Sequence, residues 1–215
     1  MARVRVHNLS VSLDGYAAGP AQSPEAPLGV GGERLHAWIW DTRYGRAMIG
    51  ESDGSMGVDD RWLVRGDEGI GATVMGRNMF GPVRGEWPDL AWTGWWGEEP
   101  PFHHPVFVLT HHPRPTLEML GGTTFHFVTD GLEDALARAS AAAAGGDVRL
   151  GGGVATVRAA LGARLVDDLH LALVPVLLGA GERLFDGLGP WPDGYACAEI
   201  AASDAVAHLR FALTV

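Results

Sequence analysis

One cysteine, Cys197, stands in 215 residues. No disulfide can therefore form within the chain, and the C-x-x-C spacing of a structural zinc site is missing. No apolar run approaches the roughly 20 residues needed to span a bilayer. The opening "MARVRVHNLSVSLDG" alternates as a strand does and lacks the continuous apolar core of a signal peptide. Positive charge is scarce: 16 basic against 26 acidic residues give a formal net charge of −10. That balance excludes nucleic acid as a bulk electrostatic partner, so an anionic ligand would need local cations. Two phosphate motifs are also missing. A G-x-G-x-x-G fingerprint fails at Thr156 and its glycines fall too late in the chain, and no Gly-Lys-Ser/Thr triplet exists. These absences suggest a soluble cytoplasmic protein without a membrane or nucleic-acid partner.

What is present is a chain of 22.8 kDa, 47% apolar and 20% charged, enough for one domain with a substantial core. "RVRVHNLSVSLDG" reads as a first strand ending in a turn at Asp14-Gly15. A Gly/Pro-rich loop follows from Gly19 to Gly32, then helical spacing in "ERLHAWIW" and again in "DDRWLVRGDEGI". "ATVMG", "VFVLT", "TTFHFVTDG" and "DVRL" read as strands. Asp130 with Glu133 forms a capping box for the helix "LEDALARASAAAA", which the Gly145-Gly146 pair stops. "LHLALVPVLL" and "HLRFALTV" close the chain as β structure. Alternating strands and helices predict an α/β fold with a mostly parallel sheet. The stretch 85–105, with Trp87, Trp92, Trp95 and Trp96, is too rich in glycine and proline for a regular element. Its indoles either pack that loop on the body or wall a pocket for a flat heterocycle.

"DVRLGGGVATVRAAL" (147–161) places three glycines between a strand and a helix. Glycine lets a ligand approach the backbone, and the free N–H groups of a first helical turn favour an anion. The same three glycines could be a tight connection only. Three segments occur in order, each at a strand end: "VMGRNMFG" (74–81), "VFVLTHHPR" (106–114) and "VRLGGGVATVRAAL" (148–161). Together they resemble the dihydrofolate reductase superfamily. "VDDLHLALVPVLLGAGERLF" (166–185) and "SLDGYAAG" (12–19) narrow the resemblance to the C-terminal reductase domain of riboflavin-biosynthesis deaminase–reductases. The resemblance implies a single domain over 1–215, poorly matched around 20–60, with a three-layer αβα fold on a central mixed, mostly parallel sheet.

It also implies NADPH. Gly76, Arg77 and Asn78 would lie under the phosphates, with Arg77 as a fork for the 2′-phosphate. Thr110, His111 and Arg114 would flank the adenosine end. Gly151, Gly152 and Gly153 would carry the pyrophosphate and nicotinamide, with Val154, Ala155 and Thr156 supplying donors. Ser10, Leu13 and Ala18 would border the nicotinamide, Asp14 beside them as a catalytic candidate, although Asp14-Gly15 is equally an ordinary turn. Asp60, sixteen residues before Gly76, is a second catalytic candidate or half of an exposed Asp59-Asp60 N-cap pair. The adjacent histidines His103-His104 and His111-His112 point opposite ways on an extended chain and make no metal site. The relatives' first-strand lysine is absent from "VRVHNLS", and so is the deaminase signature H-x-E with P-C-x-x-C. Two functions follow: a reductase of a small heterocyclic or ribosylaminopyrimidine-like substrate, or a non-catalytic protein that binds or senses NADP. A structural module resting on its tryptophans is a third. The relatives also suggest a homodimer, with the last two β segments offering an apolar edge.

Overall fold

The computed structural model describes residues 2–81, 85–190 and 194–214. Its elements in chain order are β1 (Val4–Ser12), β2 (Tyr16–Ala18), α1 (Ala37–Trp40), α2 (Arg43–Met48), α3 (Val58–Asp67), β3 (Ile70–Gly76) and α4 (Arg77–Phe80). Then follow β4 (Pro105–Leu109), β5 (Leu117–Glu118), β6 (Thr124–Val128), α5 (Leu132–Ala142), β7 (Asp147–Leu150) and α6 (Val154–Gly162). The chain closes with β8 (Asp168–Val174), β9 (Glu182–Arg183), β10 (Tyr195–Ala202) and β11 (Ala207–Leu213).

Nine strands form one sheet in the order β10-β11-β8-β1-β7-β3-β4-β6-β5. The six from β8 to β6 are mutually parallel; β11 and β5 run opposite to them, and β10 pairs antiparallel with β11 at the outer edge. Parallel strands covered on both sides show in the burial of β3, where Ala72, Val74 and Met75 are all 0% exposed. Alternate residues serve different layers. Ala72 and Val74 pack with Ala135 and Ala139 of α5 and Val157 of α6, while Met75 turns to the opposite side with Phe80, Val106 and Phe125. In β8, Leu169 and Leu171 join the first layer, whereas Ala172 and Val174 meet Trp38 and Leu63 of α1 and α3. The fold is a three-layer α/β architecture of dihydrofolate reductase type.

Helix α3 is tied down by a polar chain that sequence reading did not find. Trp62 stacks on His170 at 4.3 Å and on His208 at 5.3 Å. The Asn8 amide donates to His170 Nδ1 (3.1 Å), so the proton sits on Nε2 and is donated to His208 Nδ1 (3.0 Å). His208 Nε2 then donates to Asp59 Oδ1 (2.9 Å). Burial is the main cause that lowers the pKa of both imidazoles, His170 to about 2, and both stay neutral.

Several local expectations shift. Helix α5 begins after Gly131, whose φ of 95° sets the start, and no side chain caps it. Asp130 pairs instead with Arg138 (3.0 Å). The N-cap of α3 is Gly57, not the Asp59-Asp60 pair, and Asp60 is buried rather than exposed. Neither "LHLALVPVLL" nor "HLRFALTV" offers a free edge, because β8 lies between β1 and β11 and β11 between β8 and β10; the outer strand is β10.

Candidate active site

Strands β1, β7, β3 and β4 are parallel, so their carboxyl ends gather at one side of the sheet. There "SLDG", the glycine run, Gly76 and Thr110 converge, the usual place for a ligand in an open α/β sheet. Gly76 donates its amide to the Gly152 carbonyl (2.5 Å), joining the ends of β3 and β7. A Cβ on Gly76 would lie 2.4 Å from Thr156 Oγ1 and 3.2 Å from Gly153 N, so only glycine permits this approach. At Gly151 and Gly152 a Cβ would face Met79 Sδ at 3.2 and 3.4 Å, whereas at Gly153 it meets nothing within 4 Å. The Gly152–Gly153 peptide is cis. Gly153 is the N-cap of the nine-residue α6, and the Val154 and Ala155 amides have no protein acceptor among the described residues. Open space above Gly153, beside free amide donors, is the geometry of an anion cradle.

Two arginines approach this end of the sheet. Arg77 donates Nη1 to the Gly85 carbonyl (2.5 Å) and to Thr110 Oγ1 (3.5 Å). Arg114 donates Nη2 to the carbonyls of Leu90 (2.9 Å) and Trp92 (2.6 Å). Among the described residues neither ion-pairs with a carboxylate, and Arg77 Nε and Nη2 and Arg114 Nη1 are buried without a hydrogen-bond acceptor. Burial lowers the pKa of each guanidinium, and the charge of Arg114 lowers that of Arg77 further. Unsatisfied cationic N–H groups are costly to keep, and an anion would satisfy them. Thr110 is buried, its hydroxyl bonded to the His112 backbone on both sides (3.1 and 3.2 Å), while His111 is exposed and Asn78 half-buried beside Arg77.

The substrate-side candidates separate clearly. Ser10 is 1% exposed and accepts the Trp38 indole N–H (3.1 Å), so its hydroxyl faces the α1 layer and not an open cleft. Ala18 is also enclosed, while Leu13 is 58% exposed. Asp14 accepts from the Ser12 hydroxyl (2.6 Å) and the amides of Leu178 (3.1 Å) and Gly179 (2.7 Å). Those bonds, the Ser12 one foremost, hold its pKa near 2, so it is ionised at neutral pH and offers no proton. It fastens two loops together, a positioning task. Asp60 accepts the Tyr44 amide (2.7 Å) and faces Arg43 at 3.6 Å. Its carboxylate is thus committed to joining α2 and α3.

Sequence reading missed Met79, whose thioether lies against Gly151 and Gly152; its place three residues after Gly76 was the available signal. Trp87, Trp92 and Trp96 pack on Phe80, Val108 and Phe125, which favours the loop-packing reading of these indoles. Among the described residues no group of three or more His, Cys, Asp or Glu is arranged around a metal ion, and no helix is long and apolar enough to cross a membrane.

An α/β sheet of this topology with a glycine loop against a strand end defines a dihydrofolate-reductase-like protein. Residues 5–200 match the RibD C-terminal domain, a reductase-type domain, and the chain belongs to that family. No protein of curated function matches the sequence. Among solved structures, a protein named for riboflavin biosynthesis from Shewanella sp. PV-4 is 22% identical with TM-score 0.63, each chain covered in full. A pyrimidine reductase-like protein from Corynebacterium diphtheriae is 13% identical with TM-score 0.54, covering all of this chain and 92% of that one. The diaminohydroxyphosphoribosylaminopyrimidine deaminase/5-amino-6-(5-phosphoribosylamino)uracil reductase of Thermotoga maritima is 11% identical with TM-score 0.54; it matches 99% of this chain, which spans 56% of that protein.

Proposed function

We propose that this chain is a cytoplasmic NADPH-dependent reductase of a small heterocyclic, ribosylaminopyrimidine-like substrate, working as a homodimer. The observation that carries the reading is the arginine pair: three buried guanidinium N–H groups without acceptors, at the strand ends where the glycine cradle opens. NADPH differs from NADH by a 2′-phosphate, and two uncompensated guanidiniums favour the phosphorylated form. The cofactor would supply hydride. Arg77 and Arg114 would bind the phosphate, Gly153 would leave room for the chain of the dinucleotide, and the Val154 and Ala155 amides would meet the pyrophosphate. Asp14 would hold the 12–16 and 176–179 loops in register beside the acceptor.

One observation favours the second reading, a protein that binds NADP without turning it over. All 16 basic residues are arginine, so no lysine from any element replaces the one its relatives carry in the first strand. NADPH oxidation with a panel of oxidised pterins and ribosylaminopyrimidines separates the two. The cofactor assignment is tested by Arg77→Ala: losing a charged contact to phosphate costs about 1.5–3 kcal/mol, so NADPH affinity should fall roughly ten- to a hundredfold. NADH affinity should barely move. Equal NADPH binding by the variant would remove Arg77 from the site.

A further inference from the structure

We propose that Trp87 and the segment around it are an internal competitor for the cofactor phosphate, docked on Arg77 and Arg114 and released when an anion takes the arginines. The inference rests on the anion-site reading above and adds how that site is regulated. The Arg77 guanidinium carbon lies 3.4 Å from the centroid of the Trp87 ring and that of Arg114 lies 4.9 Å away. Among the described residues, apart from the Thr110 hydroxyl, the hydrogen bonds of these two arginines go to carbonyls of one short segment: Gly85, Leu90 and Trp92. The groups that would hold a phosphate are the groups that hold the segment down.

The competition is unequal by construction. The segment offers neutral carbonyls and an aromatic face, and it leaves Arg77 Nε and Nη2 and Arg114 Nη1 without acceptors. A phosphate offers charged oxygens, whose hydrogen bonds to guanidinium are roughly twice as strong as neutral ones. Asp89, whose charge is felt by Arg114, is carried on the same segment. The far end of the segment is pinned by the Trp92 indole, which donates to the Phe80 carbonyl (2.9 Å), and the stretch before it is lightly held. From 85 to 91 every residue but Trp87 is exposed, and the Trp87 indole adds one bond, Nε1 to the His112 carbonyl (3.0 Å), and edge contacts to Phe80 and Phe127 at 6.0 and 5.5 Å.

Hydrogen exchange on the full chain, with inorganic pyrophosphate and with NADPH, tests this without a mutation. Exchange at the Trp87 indole N–H, which the His112 carbonyl holds (3.0 Å), reports on 85–92: it should lose protection with either, while the amides of β3 and α6 keep theirs. Trp87→Leu, which removes the ring from the guanidiniums, should bind NADPH about tenfold more tightly, the worth of one desolvated cation–π contact. Trp87→Phe should fall between. Gained protection at 85–92, or weaker NADPH binding by a folded Trp87→Leu chain, overturns the proposal and makes Trp87 part of the binding platform. NADPH binding with 85–92 unchanged overturns it too, yet leaves the cofactor reading standing. Release of 85–92 by pyrophosphate in a chain that binds no NADPH supports the competitor and removes the cofactor reading.

Discussion

Three alanine substitutions in one loop system separate a cradle from a turn, because the space around each glycine differs. At Gly153 the backbone is extended (φ −71°, ψ −177°) and an added Cβ meets nothing within 4 Å. The only expected cost is that of a poorer N-cap, about 0.5–1 kcal/mol. At Gly76 the Cβ would sit 2.4 Å from Thr156 Oγ1 in a buried position, an overpacking cost of about 1–3 kcal/mol. At Gly152 a φ of 135° adds strain of similar size, although the nearest atom, Met79 Sδ, is at an ordinary 3.4 Å. Stability should therefore fall for Gly76→Ala and Gly152→Ala and scarcely for Gly153→Ala. Affinity should run the other way: the Gly153 methyl fills the opening where a dinucleotide would lie, so NADPH binding should drop at least about tenfold, or 1.4 kcal/mol. Urea unfolding gives the first quantity and fluorescence titration of NADPH on the folded variant gives the second. A Gly153→Ala protein that is as stable as its parent and binds NADPH as well would refute the cradle and leave the glycines as a connection.

Acid should destabilise the protein before its carboxylates titrate. His170 is fully buried and neutral, its pKa lowered to about 2, while in the unfolded chain it titrates near 6.5. A depressed folded pKa leaves stability intact above pH 6.5 and removes it as pH falls and the unfolded chain takes up the proton. From His170 alone the loss is about 1.4 kcal/mol at pH 5.5 and about 2.7 kcal/mol at pH 4.5. His208 adds in the same direction. Urea unfolding free energies that stay flat between pH 7.5 and 4.5 would contradict a neutral buried pair. The homodimer is expected to form through β10, the outer strand, whose Ile200 is 69% exposed. Sedimentation should give twice the chain mass at micromolar concentration, and Ile200→Lys should shift it to one; a parent that sediments as a monomer would end the proposal.

The parallel strands and their helices were legible because each carries its own period: "ATVMG" and "VFVLT" are continuous apolar runs, and "VATVRAAL" spaces its apolar residues as a helix does. The glycines were legible as a motif because close backbone approach needs that residue type. Long-range partners were not legible. That Ser10 would meet Trp38, 28 residues away, or that His170 would reach His208 across 38, depends on which strand lies beside which, and periodicity is silent about that. The Asp59-Asp60 pair looked like a cap because helix starts favour acids, yet tertiary contacts with His208 and Tyr44 took both carboxylates. Arg77 was visible as a phosphate fork; that Trp87 covers it was not, because cation–π partners leave no spacing signature.

The Asp14 carboxylate has a consequence for what can enter beside the glycines. With Ser12 on one side and Leu178 and Gly179 on the other, and with the Leu13 amide bonded to the Val176 carbonyl (3.0 Å), the two loops cannot part without breaking several bonds together. Leu13 and Leu177, 58% and 63% exposed, ride on these coupled loops. Their backbones are held in one relation, so the two apolar side chains are carried together and neither loop can withdraw its leucine alone. Under the proposed function, discrimination at these loops would come from a backbone frame that is fixed before the substrate arrives, and adjustment would fall to the flank that carries the tryptophans.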